Sequence, residues 1–470
     1  MPDIIFINPP LTLEERYGKL ANAGSLEPPH GLCNLVAVCL KHNIDTEILD
    51  APVFGLNYEQ IVNIIKTKSP KYVGITAVTI SIHNAAKLAQ LIKAADSKIV
   101  TIIGGPHLTA LPKETMNKFS SFDIGVIGEG EITIIELIKT LDEKHPLDKI
   151  NGIIFRKNGT LTITNKREFV KNLSELPLPA WNLLSDMKKY RPAVASYKRL
   201  PSTSIITTRG CTGKCTFCDR SGFGEIIRGY SAEYILDMIK YLQEKYAIRD
   251  IRIMDDNFLL FRSKIVKVCK MIQEQKIDIT WSCLARVDMV YPDILKMIKM
   301  SGCWQIAYGI ESGSQEILDI LNKNITLEQI RRAIWLTKEA KIKTLGYFML
   351  GNPKETEETI KATQKLIQEL DLDDIKITFF TPYPGSKIFQ TAKQYGTFND
   401  DWKKLDANLE PVFVPTGLTK EYLIKMQKNL LREFYLKPKT ILSYLSRLNL
   451  KQAKSLYSAT KSFIGYTFSK

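Results

Sequence analysis

Arg209-Gly210-Cys211-Thr212-Gly213-Lys214-Cys215-Thr216-Phe217-Cys218 puts three cysteines into eight residues, spaced C-x3-C-x2-C, on a segment that reads as loop. Thiolates are soft ligands that favour iron–sulfur clusters or zinc. Structural zinc takes four ligands, and no fourth Cys or His lies nearby. The remaining cysteines are at 33, 39, 269, 283 and 303, and all five histidines (30, 42, 83, 107, 145) fall in the first third. Three cysteines on a four-iron cluster would leave one iron open, as a catalytic metal site requires. Three ordinary thiols, or a zinc knuckle borrowing a distant residue, are the bland alternatives.

Outward from this loop, strand-like runs at Ser204–Thr208, Ile251–Met254, Thr280–Ala285, Gln305–Ile310, Thr344–Leu350 and Ile375–Phe380 alternate with helical stretches. Ser231, Thr326 and Thr356 stand at helix-start positions. Six β/α units are too few for a closed eightfold barrel and fit a partial one, whose active residues cluster at strand C-termini. Towards the N-terminus, strands at Asp3–Ile7, Thr46–Leu49, Tyr72–Thr76, Ile99–Ile103 and Ile124–Ile127 alternate with amphipathic stretches, the pattern of a doubly wound parallel sheet. Asn158-Gly159 predicts a two-residue hairpin turn, and Leu176-Pro177-Leu178-Pro179 a linker. The expected fold class is α/β: a Rossmann-like domain over 1–150, hairpin and linker over 151–190, a partial (β/α)6 TIM-like barrel over 191–390 and a basic, mostly helical region over 391–470.

The cysteine motif resembles that of the radical S-adenosylmethionine superfamily, and the resemblance extends over the barrel. It implies that Cys211, Cys215 and Cys218 bind a [4Fe-4S] cluster whose open iron chelates S-adenosylmethionine. Phe217 holds the family's aromatic position near the adenine. Met254-Asp255-Asp256-Asn257 matches the strand end that offers polar groups to the methionine amine, which makes Asp255 and Asp256 candidates. Tyr308-Gly309-Ile310-Glu311-Ser312-Gly313 resembles the segment contacting ribose and methionine, so Gly309, Glu311 and Ser312 join them. Arg286 is a candidate carboxylate partner. Singly, these residues could cap helices, form salt bridges or serve turns; their common place at strand C-termini favours the site.

The N-terminal domain is similar to the cobalamin-binding domain of the large cobalamin-dependent class of these enzymes. The likeness rests on Pro28-Pro29-His30-Gly31-Leu32, Ile48-Leu49-Asp50, Gly74-Ile75-Thr76, Ile103-Gly104-Gly105-Pro106-His107 and Gly128-Glu129-Gly130-Glu131. It implies close backbone approach to the nucleotide tail at Gly104 and Gly105. Thr76 and Thr79 would meet the corrin underside, with His107, Gly128 and Glu129 beside them. The D-x-H-x-x-G loop that supplies an axial histidine elsewhere is absent, because no His has Asp two residues before it.

Such a chain is expected to be an enzyme that methylates an unactivated carbon of a small or lipid-like substrate, drawing electrons from a donor such as flavodoxin or ferredoxin. Radical cyclisation or oxidation, as in the anaerobic magnesium-protoporphyrin monomethyl ester cyclase, shares the same motifs. A non-catalytic iron–sulfur or cobalamin-binding protein is the alternative of another class. A tRNA methylthiotransferase would need further N-terminal cysteine ligands, whereas Cys33 and Cys39 read as core positions of one helix.

Composition agrees with a cytoplasmic globular chain: 44% hydrophobic, 24% charged, and no apolar run approaching the ~18 residues of a membrane span. Eight cysteines in 470 residues are too sparse for a disulfide scaffold. The net charge of +15 is concentrated at one end, since residues 411–470 hold eleven Lys/Arg against two Asp/Glu. With Tyr444, Tyr457, Phe463, Tyr466 and Phe468 interspersed, this basic tail predicts either peripheral contact with an anionic inner membrane face or a helical cap on the barrel. No nucleic-acid recognition motif accompanies the charge.

Overall fold

The computed structural model describes residues 1–190, 192–193, 196–445 and 461–467. The first sheet is built on β1 (Ile4–Asn8), β2 (Thr46–Asp50), β3 (Tyr72–Thr76), β4 (Val100–Gly104) and β5 (Ile124–Val126). All five are parallel, in the order β2-β1-β3-β4-β5. β1 reads IIFIN because a parallel strand between helical layers buries both faces. Ile4 and Phe6 pack with the helices His30–Lys41 and Glu131–Asp142, while Ile5 and Ile7 pack with Tyr58–Lys68 and Ile82–Ala95.

The expected hairpin is present as β6 (Ile153–Lys157) and β7 (Thr160–Ile163), with Asn158 and Gly159 at φ 51° and 81° in its turn. It is part of the first sheet, since β6 pairs antiparallel with β5. Leu176–Pro179 forms neither helix nor strand, yet it lies packed between the two sheets: Pro177 O accepts from Tyr234 Oη at 2.8 Å, and Ala180 N donates to Cys33 O at 3.0 Å.

The second sheet contains β8 (Ser202–Ile205), β11 (Asp250–Ile253), β12 (Thr280–Ala285), β13 (Cys303–Glu311), β14 (Lys343–Leu350) and β15 (Asp374–Phe379), six parallel strands each beside its sequence neighbour. β8 and β15 do not pair, so the barrel is open. Ser231, Thr326 and Thr356 cap the helices that follow them. The first barrel strand differs from expectation: it begins at Ser202 and ends at Ile205, and the chain resumes as β9 (Thr208–Arg209), paired antiparallel with β10 (Arg228–Gly229).

A short hairpin of β16 (Gly396–Phe398) and β17 (Phe413–Pro415) precedes the helix Lys420–Tyr435, which packs Leu423, Leu430 and Phe434 into the barrel's main core. Gln427 Nε2 of that helix donates to Ile377 O of β15 at 2.8 Å. This part of the C-terminal region is the cap among the two expectations. Most of the basic aromatic tail, including Arg447, Lys451, Lys454, Tyr457 and Phe468, lies outside the described residues. Among the described residues no helix is long and apolar enough to cross a membrane.

Candidate active site between the two sheets

The break after β8 has a local cause. The buried Asp255 carboxylate, just past β11, accepts from Thr207 N at 2.6 Å, Thr208 N at 3.1 Å and Thr207 Oγ1 at 2.5 Å. These amides leave the strand ladder and the chain turns into the cysteine loop. Burial pushes the Asp255 carboxyl up to about 6, against the pull of those donors. Gly210 passes the turn at φ 87°, where a Cβ would stand 2.4 Å from Ile226 O, so no other residue fits before Cys211.

The thiols gather around Gly213. A Cβ there would lie 3.4 Å from Cys211 Sγ, 3.9 Å from Cys215 Sγ and 3.8 Å from Arg286 Nη1. All three cysteines are free. A hydrogen bond from Cys218, assisted by the Lys323 and Arg286 charges, draws the Cys215 thiol below its ordinary range, and the same bond pushes Cys218 up. Among the described residues no trio of His, Cys, Asp or Glu closes around a single metal ion. A set of three thiolates on one loop suits a multi-iron cluster, which seats its cysteines on separate irons. The loop after the helix Gln315–Ile320 and the turn Lys387–Gln390 hold this loop: Asn322 Nδ2 donates to Lys214 O at 2.7 Å, Thr216 N to Leu321 O at 2.9 Å, and Ile388 N to Thr216 O at 3.0 Å.

At the end of β13, Glu311 sits at φ 68°, a conformation non-glycine residues rarely adopt. Its carboxylate accepts from Lys323 Nζ at 2.6 Å, both side chains being buried. A Cβ at Gly309 would come within 2.5 Å of Glu311 Oε1 and 2.8 Å of Lys323 Nζ, so the glycine makes room for this pair. Burial opposes the Lys323 charge, but Glu311 and the Cys215 thiolate outweigh it and raise its pKa. Lys323 Nζ also lies 5.6 Å from the Phe217 ring centroid. The Arg286 guanidinium is held by Asp288 through two bonds of 3.0 Å and by Lys323 O at 2.9 Å, which leaves Nη1 towards the thiols.

A buried charge network joins the two sheets. Arg209, two residues before Cys211, donates to Glu129 at 3.0 Å and to Glu131 at 2.6 Å; Arg228 donates to the other Glu129 oxygen at 2.9 Å. Burial works against the Glu129 charge, yet the two arginines hold its carboxyl below the usual range. Above this network lies a cavity of about 460 Å³. The first sheet's strand ends supply Gly31, Thr76, Gly104, Gly105, Gly128 and Glu129 to its wall, and the barrel supplies Gly210, Cys211, Asp219, Arg220 and Asp256. A Cβ at Gly31 or Gly128 would meet nothing within 4 Å, and one at Gly104 only Val126 O at 3.9 Å. Side chains added at Gly31 or Gly104 would fill the cavity, whereas Gly128, at φ 79°, would also be strained by any Cβ. Leu35, Ile102, Val126 and Ile134 make the wall apolar. A broad, apolar-sided cradle with bare backbone fits a corrinoid.

The family model described as the Radical SAM superfamily matches residues 205–367, and the B12 binding domain matches residues 18–138. An uncharacterized methyltransferase of Pyrococcus horikoshii is 32% identical over 421 residues, covering 89% of this chain and 90% of that protein. The chain belongs to the cobalamin-binding radical S-adenosylmethionine family. The anaerobic magnesium-protoporphyrin IX monomethyl ester cyclase of Rubrivivax gelatinosus is 27% identical, covering 91% of this chain and 76% of its own. The cobalamin-dependent radical enzyme OxsB, solved with aqua-cobalamin bound, shares the fold at TM-score 0.76 and 20% identity, covering 99% of this chain and 72% of that one. The radical domain carries a [4Fe-4S] cluster and S-adenosylmethionine, and the B12 domain carries cobalamin.

The structure brings some of the residues named from the sequence together and leaves others apart. Cys211, Cys215, Cys218, Phe217, Arg286, Gly309 and Glu311 come together around Lys323, and Asp256 lines the cavity. Asp255 is spent on Thr207 and Thr208. Ser312 turns away from the site: its hydroxyl lies 3.3 Å from Thr363 Oγ1, on the helix Glu357–Glu369. Thr79 and His107 do not reach the cavity. Gly105, at φ 98°, starts a helix at Pro106, so His107 points back, 3.2 Å from Thr79 Oγ1 and 4.5 Å ring to ring from Trp402. Lys323, Arg209, Arg228 and Glu131 were not singled out, because their roles depend on partners distant in sequence or on a loop without a motif. His30 is the one imidazole among the residues lining the cavity; its Nε2 lies 2.9 Å from Ser204 Oγ, and burial lowers its pKa to about 4.

Proposed function

We propose that the protein is a methyltransferase acting on an unactivated carbon of a small or lipid-like substrate. The observation that carries this reading is the shared wall: Cys211 and Asp256 of the barrel line the same cavity as Gly31, Gly104 and Gly128 of the B12 domain. Cluster, S-adenosylmethionine and cobalamin together supply hydrogen abstraction and a transferable methyl group. The chain's own residues position and exclude. Cys211, Cys215 and Cys218 hold the cluster on a loop clamped by Asp255 and Asn322. Arg286 and Lys323 set positive charge beside the thiolates, where they would also face S-adenosylmethionine, with Glu311 fixing Lys323. The bare glycine backbones admit the corrinoid against apolar walls that keep out water. Electrons would come from a flavodoxin or ferredoxin type donor.

The test is anaerobic turnover of the reconstituted enzyme with S-adenosylmethionine carrying a trideuterated methyl group, using fractionated small-molecule and lipid extracts. Methyl transfer predicts a deuterated product that appears only with cobalamin present, together with 5′-deoxyadenosine. Formation of 5′-deoxyadenosine with no labelled product would overturn it in favour of radical cyclisation or oxidation, the reading that likeness to the cyclase supports. Absence of both would remove the enzymatic reading.

A further inference from the structure

The barrel lumen carries charge that the cofactors do not use. Along β13, Ile306, Tyr308 and Ile310 are fully buried, and Tyr308 Oη lies 2.7 Å from Thr337 of an outer helix, so the alternate residues Gln305, Ala307 and Gly309 face inward. On β15, Ile375, Ile377 and Phe379 belong to the core under the helices, which turns Lys376 to the lumen, where it is solvent-accessible. On β11, Ile251 and Ile253 are likewise core, and Arg252 faces inward. Its Nη2 donates to Tyr347 Oη of β14 at 3.1 Å, a contact that crosses the lumen because β12 and β13 lie between those strands in the sheet. Tyr347 and Lys376 are direct partners in the β14–β15 register.

Two cations therefore face the same lumen, and a third lies beside it. Arg252 and Lys376 project into it, and Arg16 lines an adjoining cavity of about 230 Å³ that shares His30 and Thr76 with the larger one. The facing carboxylates are Glu27 and Asp406, and both are engaged. Glu27 lies 3.9 Å from Arg252 and accepts from Ser204 Oγ at 2.7 Å. Asp406 accepts from Asn408 N at 2.7 Å and Nδ2 at 2.8 Å. Among the described residues Lys376 has no hydrogen-bond or ion-pair partner. A buried donor, Gln305 Nε2, also lacks a partner, a condition that costs stability unless a ligand or water satisfies it. Burial, then Arg252 and Arg16, depress the Lys376 ammonium, with Asp406 opposing. Lys376, Arg252 and the Gln305 amide thus present donors to an incoming anion.

We propose that the lumen binds the substrate through an anionic substituent, carboxylate or phosphoryl, gripped by Lys376 and Arg252. This deepens the functional reading above and rests on it for the word substrate; the site itself is tested without turnover. The probe is pyridoxal 5′-phosphate, an amine-reactive phosphate ester, trapped on the reconstituted protein with cyanoborohydride and located by peptide mass spectrometry. Lys376 is expected to react about tenfold faster than lysines on the outer surface, because Arg252 beside it attracts the phosphate ester. Inorganic phosphate or malonate at matched ionic strength should slow it. Stronger protection by phosphate assigns a phosphoryl group, and stronger protection by malonate a carboxylate. Arg252→Met should abolish the protection, and Lys376→Arg should remove the label while leaving a folded protein. Labelling of Lys376 at the rate of exposed lysines, or indifference to both anions, would overturn the proposal. Labelling as expected with no methyl transfer would leave the anion site standing and sink only the methyltransferase reading.

Discussion

The two walls of the central cavity are made in opposite ways. The barrel wall is made of things present: Arg209 and Arg228 buried and interlocked with Glu129 and Glu131 of the first domain, Asp255 clamping the strand end, Lys323 paired with Glu311. The wall of the first sheet is made of things missing, with no Cβ at Gly31 or Gly104 where one would fit. One side must hold a charged inorganic group and its thiolates in fixed positions, which demands satisfied polar networks. The other must receive a broad organic face, which demands room. Substitutions should therefore fail in different currencies: removal of a group should cost folding on the first side, and addition of a group should cost binding on the second.

The largest expected effect breaks the interlocked side. Arg209→Met leaves Glu129 and Glu131 buried with less charge compensation and should cost about 3–5 kcal/mol in urea unfolding. A cost below about 1 kcal/mol would mean the network is not what fixes the cysteine loop to the first sheet. Next comes the back of the glycine loop. Burial, with the His83 and Lys118 charges, lowers His107 to about 4, so it stays neutral in the folded chain while the unfolded chain takes up a proton near 6.5. The unfolded state then binds more protons between those values. Stability should fall as pH drops from 6.5 towards 4, by at most about 3 kcal/mol. Urea midpoints at pH 7 and pH 5 should differ less in His107→Gln, and an unchanged difference would place the histidine elsewhere.

Gly105→Ala sharpens the contrast within one dipeptide. At φ 98° an added Cβ would lie 2.8 Å from Ala77 O and Thr76 Oγ1, so this change should cost about 1–3 kcal/mol although the residue borders the cavity. Its neighbour should behave oppositely. Gly104→Val meets open space, so thermal stability should move by less than about 1 kcal/mol. Cobalamin affinity, read by equilibrium dialysis, should fall about tenfold or more, which corresponds to ~1.4 kcal/mol of binding. Equal cobalamin binding by the two proteins would mean the glycine cradle is not the corrinoid's seat.

Much of this was legible beforehand, for a physical reason. Strands buried on both faces read as apolar runs, and eleven parallel strands appeared where such runs stood. The three cysteines were legible because they are neighbours in sequence and their chemistry is local. What escaped depends on distance or on side-chain direction. Arg209 meets Glu129 and Glu131 across about eighty residues of chain, so no spacing announces the network. Lys323 stands on a loop after the helix Gln315–Ile320, with nothing around it to mark a site. Gly104, Gly105 and His107 read as one unit, but the positive φ of Gly105 sends the imidazole to Trp402 and not to the cavity. Asp255 and Ser312 stand just past their strands, but Thr207 and Thr208 engage the one and the Thr363 hydroxyl the other, contacts that no local pattern announces.

The account is tested most directly by measuring iron, sulfide and cobalamin bound after anaerobic reconstitution of wild type and of C211A/C215A/C218A. Wild type should carry about four irons and one corrinoid per chain. The triple variant should lose the iron and keep the corrinoid, because the glycine cradle is untouched. Iron retained at the wild-type level without the three thiols would contradict the account.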